Sequence, residues 1–288
     1  MIRFALASRI KLLACKTWFM QIASVNKFPY TTILITGASS GIGEAIARAL
    51  AKPGFRLILV ARSADALETH AREFRSSGAT VDVIAMDLTS ENAPQRLFDQ
   101  INKLNIRVDL LVNNAGFGSY GYFHESDIAK QMNMIDLNIK TLVQLTHLFL
   151  PGMLSQNKGA ILNVSSTASF QPVPFMATYG ATKAFVTHFS VAVASELRDT
   201  PIRIISLCPG RTKTNFQLSA GSNKIRIRSR SASKESVAEV ALDAVVNYKK
   251  IAIEGLGNKY MTHLQRLFPR FVILGLARRI FEPKNSNT

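Results

Sequence analysis

The sequence predicts an α/β fold in which a doubly wound parallel sheet of about seven strands carries helices on both faces. From residue 31 onward, short apolar runs alternate with amphipathic segments of helical length. The strand candidates are continuous apolar runs, which is typical of a parallel sheet that is covered on both sides. A glycine-rich segment, residues 37–43, joins the first strand candidate to the first helix candidate, as in sheets that bind ligands at their carboxyl edge.

The elements follow one another in a regular order. The strand candidates lie at residues 32–36, 56–60, 80–86, 109–112, 160–165, 203–207 and, as the weakest, 251–254. The helix candidates lie at residues 43–51, 64–77, 91–104, 128–156, 179–198 and 236–248. Pro53 and Gly54 end the first helix candidate, and Ser90 is the predicted N-cap of the third. No linker or repeat interrupts this alternation, so residues 31–255 are predicted to form one domain, between a basic extension (1–30) and a helical tail (256–288).

The charge balance limits the partners. The chain has 35 Lys and Arg against 19 Asp and Glu, a formal net charge of +16, which attracts phosphates, anionic lipid or nucleic acid. The sequence shows no helix-turn-helix signature, zinc-finger spacing or basic run with interleaved aromatics, so nucleic acid is disfavoured as a partner. Cys15 and Cys208 are too few for a disulfide framework or a cysteine-rich metal site. We therefore predict a cytoplasmic protein without a metal.

The first 30 residues carry five cations and no acid. Arg9 and Lys11 interrupt the apolar stretch that a secretory signal would need. Three interpretations stay open: a basic amphipathic helix on a membrane, an organelle transit peptide, and a dispensable or mis-assigned start. No transmembrane helix is predicted, because the longest uncharged stretch, residues 159–182, is interrupted by Ser, Thr, Gln and Pro.

The glycine-rich segment favours a phosphate site. Gly37 permits a sharp turn, Gly41 lets backbone approach a pyrophosphate, and Gly43 allows close packing of helix on strand. Free N–H groups at the start of a helix attract phosphate oxygens. A tight strand-to-helix turn without a ligand is the simpler alternative, and this pattern alone does not exclude it.

Further motifs follow in a fixed order. They are Thr36-Gly37-x-x-x-Gly41-x-Gly43, Asn113-Asn114-Ala115-Gly116, Ser165-Ser166, Tyr179-x-x-x-Lys183 and Pro209-Gly210 with Thr214. Together they resemble the short-chain dehydrogenase/reductase family, single-domain Rossmann-like enzymes that use NAD or NADP. The resemblance covers roughly residues 31–255. The tail is similar to the extension of a subgroup of acyl or ketone reductases, which resemble 3-oxoacyl reductases and hydroxysteroid dehydrogenases.

The resemblance implies four catalytic residues. Tyr179 and Lys183 are four residues apart and share a helix face, and an ammonium beside a phenol is expected to lower the phenol pKa toward neutrality. In the family the catalytic serine lies thirteen residues before the tyrosine, which selects Ser166 and not Ser165. Ser166 would hold the substrate oxygen. Ser165 is expected to pack or hydrogen-bond at the end of the strand. Asn138 matches the asparagine that supports a water linked to the lysine. Without the resemblance, Asn138 would be interpreted as a polar helix residue that faces solvent or kinks the helix.

The resemblance also implies the residues that contact the cofactor. They are Gly37, Ser39, Ser40, Gly41, Ile42, Gly43, Arg62, Asp87, Asn114, Ala115, Gly116, Tyr179, Lys183, Pro209, Gly210 and Thr214. Asp87 matches the acid that contacts the adenine ring. The turn beside the adenosine ribose is matched by Asn113, Ala115 and Gly116. Thr214 matches the residue that contacts the nicotinamide carboxamide. No acid ends the second strand candidate, whereas Arg62 there suits a 2′-phosphate. The cofactor is therefore predicted to be NADP(H).

Two segments are candidates for recognising the substrate. Residues 217–234 carry five cations and no acid and match the family's mobile lid, which lies near residues 212–235; a merely solvated loop is the alternative. Aromatic residues flank the expected site and favour a lipophilic substrate, although core packing would also explain them. They are Phe117, Tyr120, Tyr122, Phe123, Phe170, Phe175 and Phe216. The apolar, basic tail is expected to cover the pocket, form a subunit interface or lie on a membrane.

The predicted activity is NADPH-dependent reduction of a carbonyl to an alcohol on a lipophilic substrate such as a 3-oxoacyl or steroid-like ketone. Tyr179 is the expected proton donor. Two alternatives stay open: an alcohol dehydrogenase working in the oxidative direction, and a non-catalytic NADP-binding regulator. The resemblance implies a homodimer or homotetramer, and peripheral membrane contact through either end of the chain is a further alternative.

Overall fold

The computed structural model describes residues 28–216, 220–221 and 231–283. Within them one sheet contains the strands β1 (Thr32–Thr36), β2 (Arg56–Ala61), β3 (Thr80–Ala85), β4 (Leu110–Asn113), β5 (Ala160–Val164), β6 (Arg203–Cys208) and β7 (Ile251–Ile253). All neighbouring strands are parallel, in the order β3-β2-β1-β4-β5-β6-β7. The predicted strands are thus all present, with ends that differ by one residue at most.

The centre of the sheet is fully buried, which explains its continuous apolar sequence. Ile33 of β1 pairs with Leu57 of β2 on one side and with Leu110 of β4 on the other, and none of the three is exposed to solvent. The strand order reverses between β1 and β4, because the chain first winds outward to β3 and then returns to add β4 to β7. This reversal opens a crevice above the carboxyl ends of β1 and β4.

Helices cover both faces of the sheet. They are α1 (Gly41–Leu50), α2 (Ala64–Ser76), α3 (Ala93–Lys103), α4 (Ile128–Ile135), α5 (Leu142–Ser155), α6 (Ala177–Glu196) and α7 (Lys234–Val246). One apolar cluster joins α1, α2 and α7 to the sheet through residues such as Ile46, Phe74 and Leu242. A second cluster joins α3 and α5 to the opposite face, for example through Leu97 and Phe149. The predicted doubly wound α/β fold is confirmed.

The long helix predicted over residues 128–156 is divided in the structure. A π-helical segment, Asp136–Thr141, separates α4 from α5. Asn138 lies in this segment with 1% exposure, and its side chain is bonded to the backbone of Phe117. Periodicity does not reveal this change, because the apolar pattern continues through a π-helical turn.

The predicted N-cap of α3 is wrong. Asn92 occupies that position, with a φ of 52° and no capping hydrogen bond from its side chain. Ser90 instead belongs to the preceding turn, where its hydroxyl donates to the Asp87 carbonyl at 2.7 Å. Pro94 lies in the first turn of α3, where the missing N–H costs nothing and the helix can begin.

The packed core begins slightly before the predicted domain boundary. Phe28 and Tyr30, which the sequence interpretation placed in the extension, are each 3% exposed. The Tyr30 hydroxyl donates to the Gly159 carbonyl at 3.2 Å. The last residues before β1 are therefore part of the core, with rings that pack on each other at 6.1 Å.

Beyond β7 the chain forms α8 (Leu256–Leu264), a 3₁₀ turn (Gln265–Leu267) and α9 (Arg270–Phe281), so the helical character predicted for the tail is present. In the part of the chain that the structure describes, no helix is long and apolar enough to cross a bilayer. Residues 1–27 of the extension, residues 217–219 and 222–230 of the predicted lid, and residues 284–288 lie outside the described residues.

Candidate active site

The turn between β1 and α1 requires glycine at several positions. Gly37 and Gly41 have φ values of +66° and +64°, which L side chains rarely adopt. A Cβ on Gly43 would lie 2.6 Å from the Gly37 carbonyl oxygen, so it would separate the helix from the turn. Ser40 precedes α1 without a capping side-chain hydrogen bond, so its side chain leaves the N–H groups of the first turn to other acceptors.

Asn114 fixes this turn from the neighbouring strand. Its amide nitrogen donates to the carbonyl oxygens of Thr36 at 2.9 Å and Gly37 at 3.1 Å. The Thr36 hydroxyl in return accepts from the backbone N–H groups of Asn114 and Ala115, each at 3.0 Å. These bonds join the carboxyl ends of β1 and β4 and make a rigid floor for the crevice.

Asn113, the preceding residue, faces away from the crevice. Its side chain donates to Asn163 at 2.9 Å and to Thr146 at 3.3 Å, and it is 4% exposed. Successive residues of a strand point to opposite faces, so Asn113 and Asn114 cannot both face a ligand. Asn113 therefore stabilises the interior and does not reach the ribose position that the sequence comparison gave it.

A cavity of about 1120 Å³ extends from the glycine turn along the carboxyl edge of the sheet. Most of the residues predicted to contact cofactor or substrate line it. They are Gly37, Ser39, Ser40, Gly41, Ile42, Arg62, Asp87, Asn114, Ala115, Gly116, Ser166, Tyr179, Lys183, Pro209, Gly210 and Thr214. Gly43 and Asn138 are absent from its wall and act as supports behind it. A glycine cradle, an uncapped helix start and a cation along one elongated cavity fit a dinucleotide.

One cation, Arg62, and one acid, Asp87, line the cavity near the end of β2. Arg62 is exposed there, directly after β2. Asp87 follows β3, and its carboxylate accepts from the hydroxyl of Thr89 at 2.7 Å and from its N–H at 2.9 Å. These hydrogen bonds, with a smaller contribution from the Arg62 charge, lower the pKa of Asp87. Asp87 is therefore a fixed acceptor, and Arg62 is a cation available to a phosphate.

Tyr179, in the first turn of α6, lines the cavity. Burial raises the pKa of Tyr179 to about 12, and a side-chain hydrogen bond with Ser166 offsets only part of this. The outcome differs from the expectation that Lys183 would lower this pKa toward neutrality. The phenol in this structure is a protonated group at neutral pH, held beside the Ser166 hydroxyl.

The position of Lys183 explains the difference. Its ammonium donates to the Val164 carbonyl at 2.8 Å and lies 5.9 Å from the centre of the Tyr179 ring. Burial lowers the pKa of Lys183 to about 8, opposed in part by the nearby Cys208. The ammonium is thus both weakened by burial and engaged by a carbonyl, so it has little effect on the phenol.

Ser165 and Ser166 lie in different surroundings. The Ser165 hydroxyl is bonded to the Lys183 carbonyl at 2.8 Å and to the Thr187 hydroxyl at 2.7 Å, which holds α6 against the end of β5. Ser166 is only half-buried, and its hydroxyl accepts from the Ala168 N–H at 3.1 Å. Ser166 lines the cavity together with Tyr179, and a side-chain hydrogen bond joins the two residues.

Asn138 is a buried connector and does not face solvent. Its amide nitrogen donates to the Phe117 carbonyl and to the Thr182 hydroxyl, both at 3.0 Å, while its oxygen accepts from the Phe117 N–H at 3.2 Å. A Cβ on Gly116 would lie 2.8 Å from the Asn138 oxygen and 3.5 Å from Lys183 Nζ. Asn138 therefore holds the backbone beside the lysine in place.

The apolar end of the cavity includes residues that the sequence interpretation did not identify. Met134, Val173, Met176 and Tyr179 form a cluster with Phe117, Tyr120, Phe216 and Phe281. Phe281 and Asn258 come from the tail, and no motif in the tail points to them. Of the seven aromatic residues predicted to flank the site, Phe117 and Phe216 line the cavity. The ring of Tyr122 instead packs on Phe175 at 5.2 Å, and Phe123 is 62% exposed.

Known proteins share this arrangement. The family model described as short chain dehydrogenase matches residues 31–224. Sulfoacetaldehyde reductase 2 of Chromohalobacter salexigens is 39% identical over 188 residues, which cover 65% of this chain and 74% of that protein. The human very-long-chain 3-oxoacyl-CoA reductase is 32% identical over 238 residues, 80% of this chain and 71% of that protein.

A solved structure agrees over nearly the whole chain. The short-chain dehydrogenase from Sphingobium yanoikuyae in complex with NADPH is 28% identical, with a TM-score of 0.75, and the match covers 90% of this chain and 98% of that one. These proteins are oxidoreductases, and the sheet order, the glycine turn and the cavity described above agree with that class. This chain belongs to the short-chain dehydrogenase/reductase family and is an oxidoreductase.

Proposed function

We propose that the protein reduces a carbonyl group of a lipophilic substrate to an alcohol with NADPH, and that Tyr179 donates the proton. The observation that carries the proposal is the position of Tyr179. Tyr179 lines one cavity together with the glycine turn and with Val173, Met176 and Phe216 of the apolar cluster. A cofactor on the turn and an apolar substrate in the cluster would meet at the Tyr179 hydroxyl.

The cofactor proposal rests on the end of β2. Ala61, Arg62 and Ser63 follow one another there, so none of these residues is an acid that would accept from a ribose 2′-hydroxyl, whereas the Arg62 guanidinium would pair with a 2′-phosphate. Asp87 would contact the adenine, and the uncapped start of α1 would receive the pyrophosphate. When bound, NADPH supplies a hydride to the carbonyl carbon.

The remaining chemistry belongs to the side chains. Ser166 would hydrogen-bond the carbonyl oxygen and hold it against the Tyr179 hydroxyl, so that one proton moves from the phenol to that oxygen as the alcohol forms. Burial raises the pKa of Tyr179 to about 12, which keeps the phenol protonated and suits the reductive direction. The Lys183 ammonium stays bonded to the Val164 carbonyl, 5.9 Å from the centre of the Tyr179 ring, so it would support the site from behind the phenol.

The cavity wall supports the proposed substrate class. Val173 and Met176 are buried beside Tyr179, and the Phe216 ring lies 5.2 Å from the Tyr179 ring. Such a wall removes water from an acyl chain or a ring system and offers few groups to a charged substrate. A 3-oxoacyl thioester or a steroid-like ketone fits this surface better than a small polar aldehyde.

The test is a product assay on the full chain. Purified protein is incubated with NADPH or NADH and a panel of carbonyls: a 3-oxoacyl thioester, a steroid ketone, an aromatic aldehyde, a diketone and sulfoacetaldehyde. We expect NADPH oxidation with one lipophilic carbonyl, stoichiometric formation of its alcohol, and much slower oxidation of NADH. Turnover confined to sulfoacetaldehyde, or equal rates with both cofactors, would contradict the proposal.

A further inference from the structure

The tail concentrates the exposed apolar surface of the molecule. Sixteen large hydrophobic side chains are exposed in the part of the chain that the structure describes, and nine of them lie between residues 256 and 280. We name this surface the tail face; it consists of Leu256, Tyr260, Met261, Leu267, Phe268, Phe271, Leu274, Leu276 and Ile280. Leu256, Leu267 and Phe271 are 87%, 78% and 76% exposed. A contiguous stretch of this kind indicates a contact surface.

The same stretch is strongly cationic. Residues 255–281 contain Lys259, Arg266, Arg270, Arg278 and Arg279 and no Asp or Glu. Lys259, Arg270 and Arg279 are exposed, so cations border the apolar side chains. Short helices with exposed apolar residues and adjacent Lys and Arg are typical of proteins that lie in the interface of an anionic bilayer.

We propose that the tail face docks on a bilayer containing anionic phospholipid, with α8 and α9 lying along its surface. The charge pattern decides between this occupant and a second copy of the chain. A two-fold contact would place the same patch on both subunits, so the exposed Lys259, Arg270 and Arg279 would face their own copies, while the adjacent acid, Glu282, already pairs with Arg278 at 3.4 Å. An anionic lipid surface has the complementary charge and also accepts the apolar side chains.

The inner side of the same helices forms part of the cavity. Ala277 of α9 is 2% exposed, Phe281 and Asn258 line the cavity, and the Tyr120 hydroxyl donates to the Phe281 carbonyl at 2.7 Å. Docking would thus place the wall of the apolar end directly over lipid. Delivery of a lipophilic substrate from the bilayer rests on the proposed function, whereas docking itself does not.

The test is co-flotation of the full chain with vesicles. One set consists of phosphatidylcholine alone, and the other of about three parts phosphatidylcholine to one part phosphatidylglycerol, which gives an anionic surface. The test variant combines Leu267→Asp, in the 3₁₀ turn, with Phe271→Asp, in the first turn of α9, where an acid is compatible with the helix. Ile128→Asp, at a side chain that is 64% exposed on α4, is the matched control.

We expect the wild type and Ile128→Asp to float with the anionic vesicles and less with the neutral ones, and added salt to weaken the binding. The double variant should lose at least about tenfold in partitioning. If circular dichroism shows that it does not fold, Arg270→Glu with Arg279→Glu replaces it and should lose the preference for anionic vesicles.

Three results would overturn the proposal. One is a wild type that does not float. A second is a folded double variant that floats unchanged, which would assign the binding to another part of the chain such as residues 1–27. The third is a double variant that floats unchanged but sediments as a smaller species than the wild type, which would identify the tail face as a contact between two copies.

Discussion

Replacing Lys183 by Met tests the electrostatics of the site through the stability of the fold. Lys183 is 6% exposed and has one hydrogen bond, to the Val164 carbonyl. Burial lowers the pKa of Lys183 from 10.5 to about 8. Because each pH unit corresponds to about 1.4 kcal/mol, keeping the ammonium charged in the folded protein costs about 3 kcal/mol at neutral pH.

The sign of the pH dependence follows from that lowered pKa. Below about pH 8 the lysine is protonated in both the folded and the unfolded state, and the full cost is present. Between about pH 8 and pH 10.5 the unfolded state binds more protons, so the stability of the wild type rises with pH through this window. Lys183→Met has no ionisable group at this position, so its free energy of unfolding lacks this increase with pH.

Urea denaturation followed by circular dichroism measures the difference. The free energy of unfolding of Lys183→Met minus that of the wild type should fall by about 3 kcal/mol between about pH 7 and about pH 10.5. The neutral amine of the wild type can still donate to the Val164 carbonyl at high pH. The hydrogen bond that Lys183→Met lacks therefore changes the difference in free energy of unfolding equally at both pH values. Lys103→Met removes an exposed ammonium from α3 as a control. An equal difference at both pH values would refute the reasoning.

Three further variants test separate parts of the site. Arg62→Ala should raise the Kd for NADPH by about tenfold or more through the lost phosphate contact and leave NADH binding nearly unchanged; equal weakening of both would contradict this. Asn114→Ala leaves the Thr36 and Gly37 carbonyls without their donor, so the free energy of unfolding should fall by about 1–3 kcal/mol, and unchanged urea midpoints would contradict it. Phe281→Ala should raise KM for a long-chain carbonyl more than for a short one, because it removes part of the apolar wall; equal changes would contradict its place there.

The sheet and the glycine turn could be predicted because they depend on local sequence. Each central strand is buried on both faces, so its apolar run ends close to the strand itself, as β1 shows with both ends as predicted. The glycine turn combines backbone angles and contacts that only glycine permits, at Gly37, Gly41 and Gly43. Such constraints leave a direct trace in the sequence.

The sequence-based predictions are wrong where contacts between distant segments determine the local structure or the pKa. Asn138 is held by Phe117 and Thr182, so a buried asparagine sits in a π-helical turn that periodicity cannot detect. The pKa of Tyr179 depends on burial by several elements, which exceeds the effect of a lysine four residues along the helix. Phe281 reaches the cavity through a contact with Tyr120 that joins residues 161 positions apart.

Some predictions stay as the sequence made them. The domain boundaries, the roles assigned to the individual site residues and the homodimer or homotetramer are predictions that still need their own experiments. The lid cations between residues 222 and 230 lie outside the described residues. The part of the lid that is described brings Phe216 to within 5.2 Å of the Tyr179 ring, so its contribution to the apolar end can be examined by substitution.

The most direct test of the central claim is the turnover of Tyr179→Phe at saturating NADPH, with the Kd for NADPH measured in parallel. The variant keeps the ring and its packing on Phe216 and removes only the hydroxyl. If Tyr179 donates the proton, kcat for the lipophilic carbonyl should fall by at least about 100-fold, while the Kd for NADPH stays close to that of the wild type. An unchanged kcat with normal cofactor binding would contradict the account.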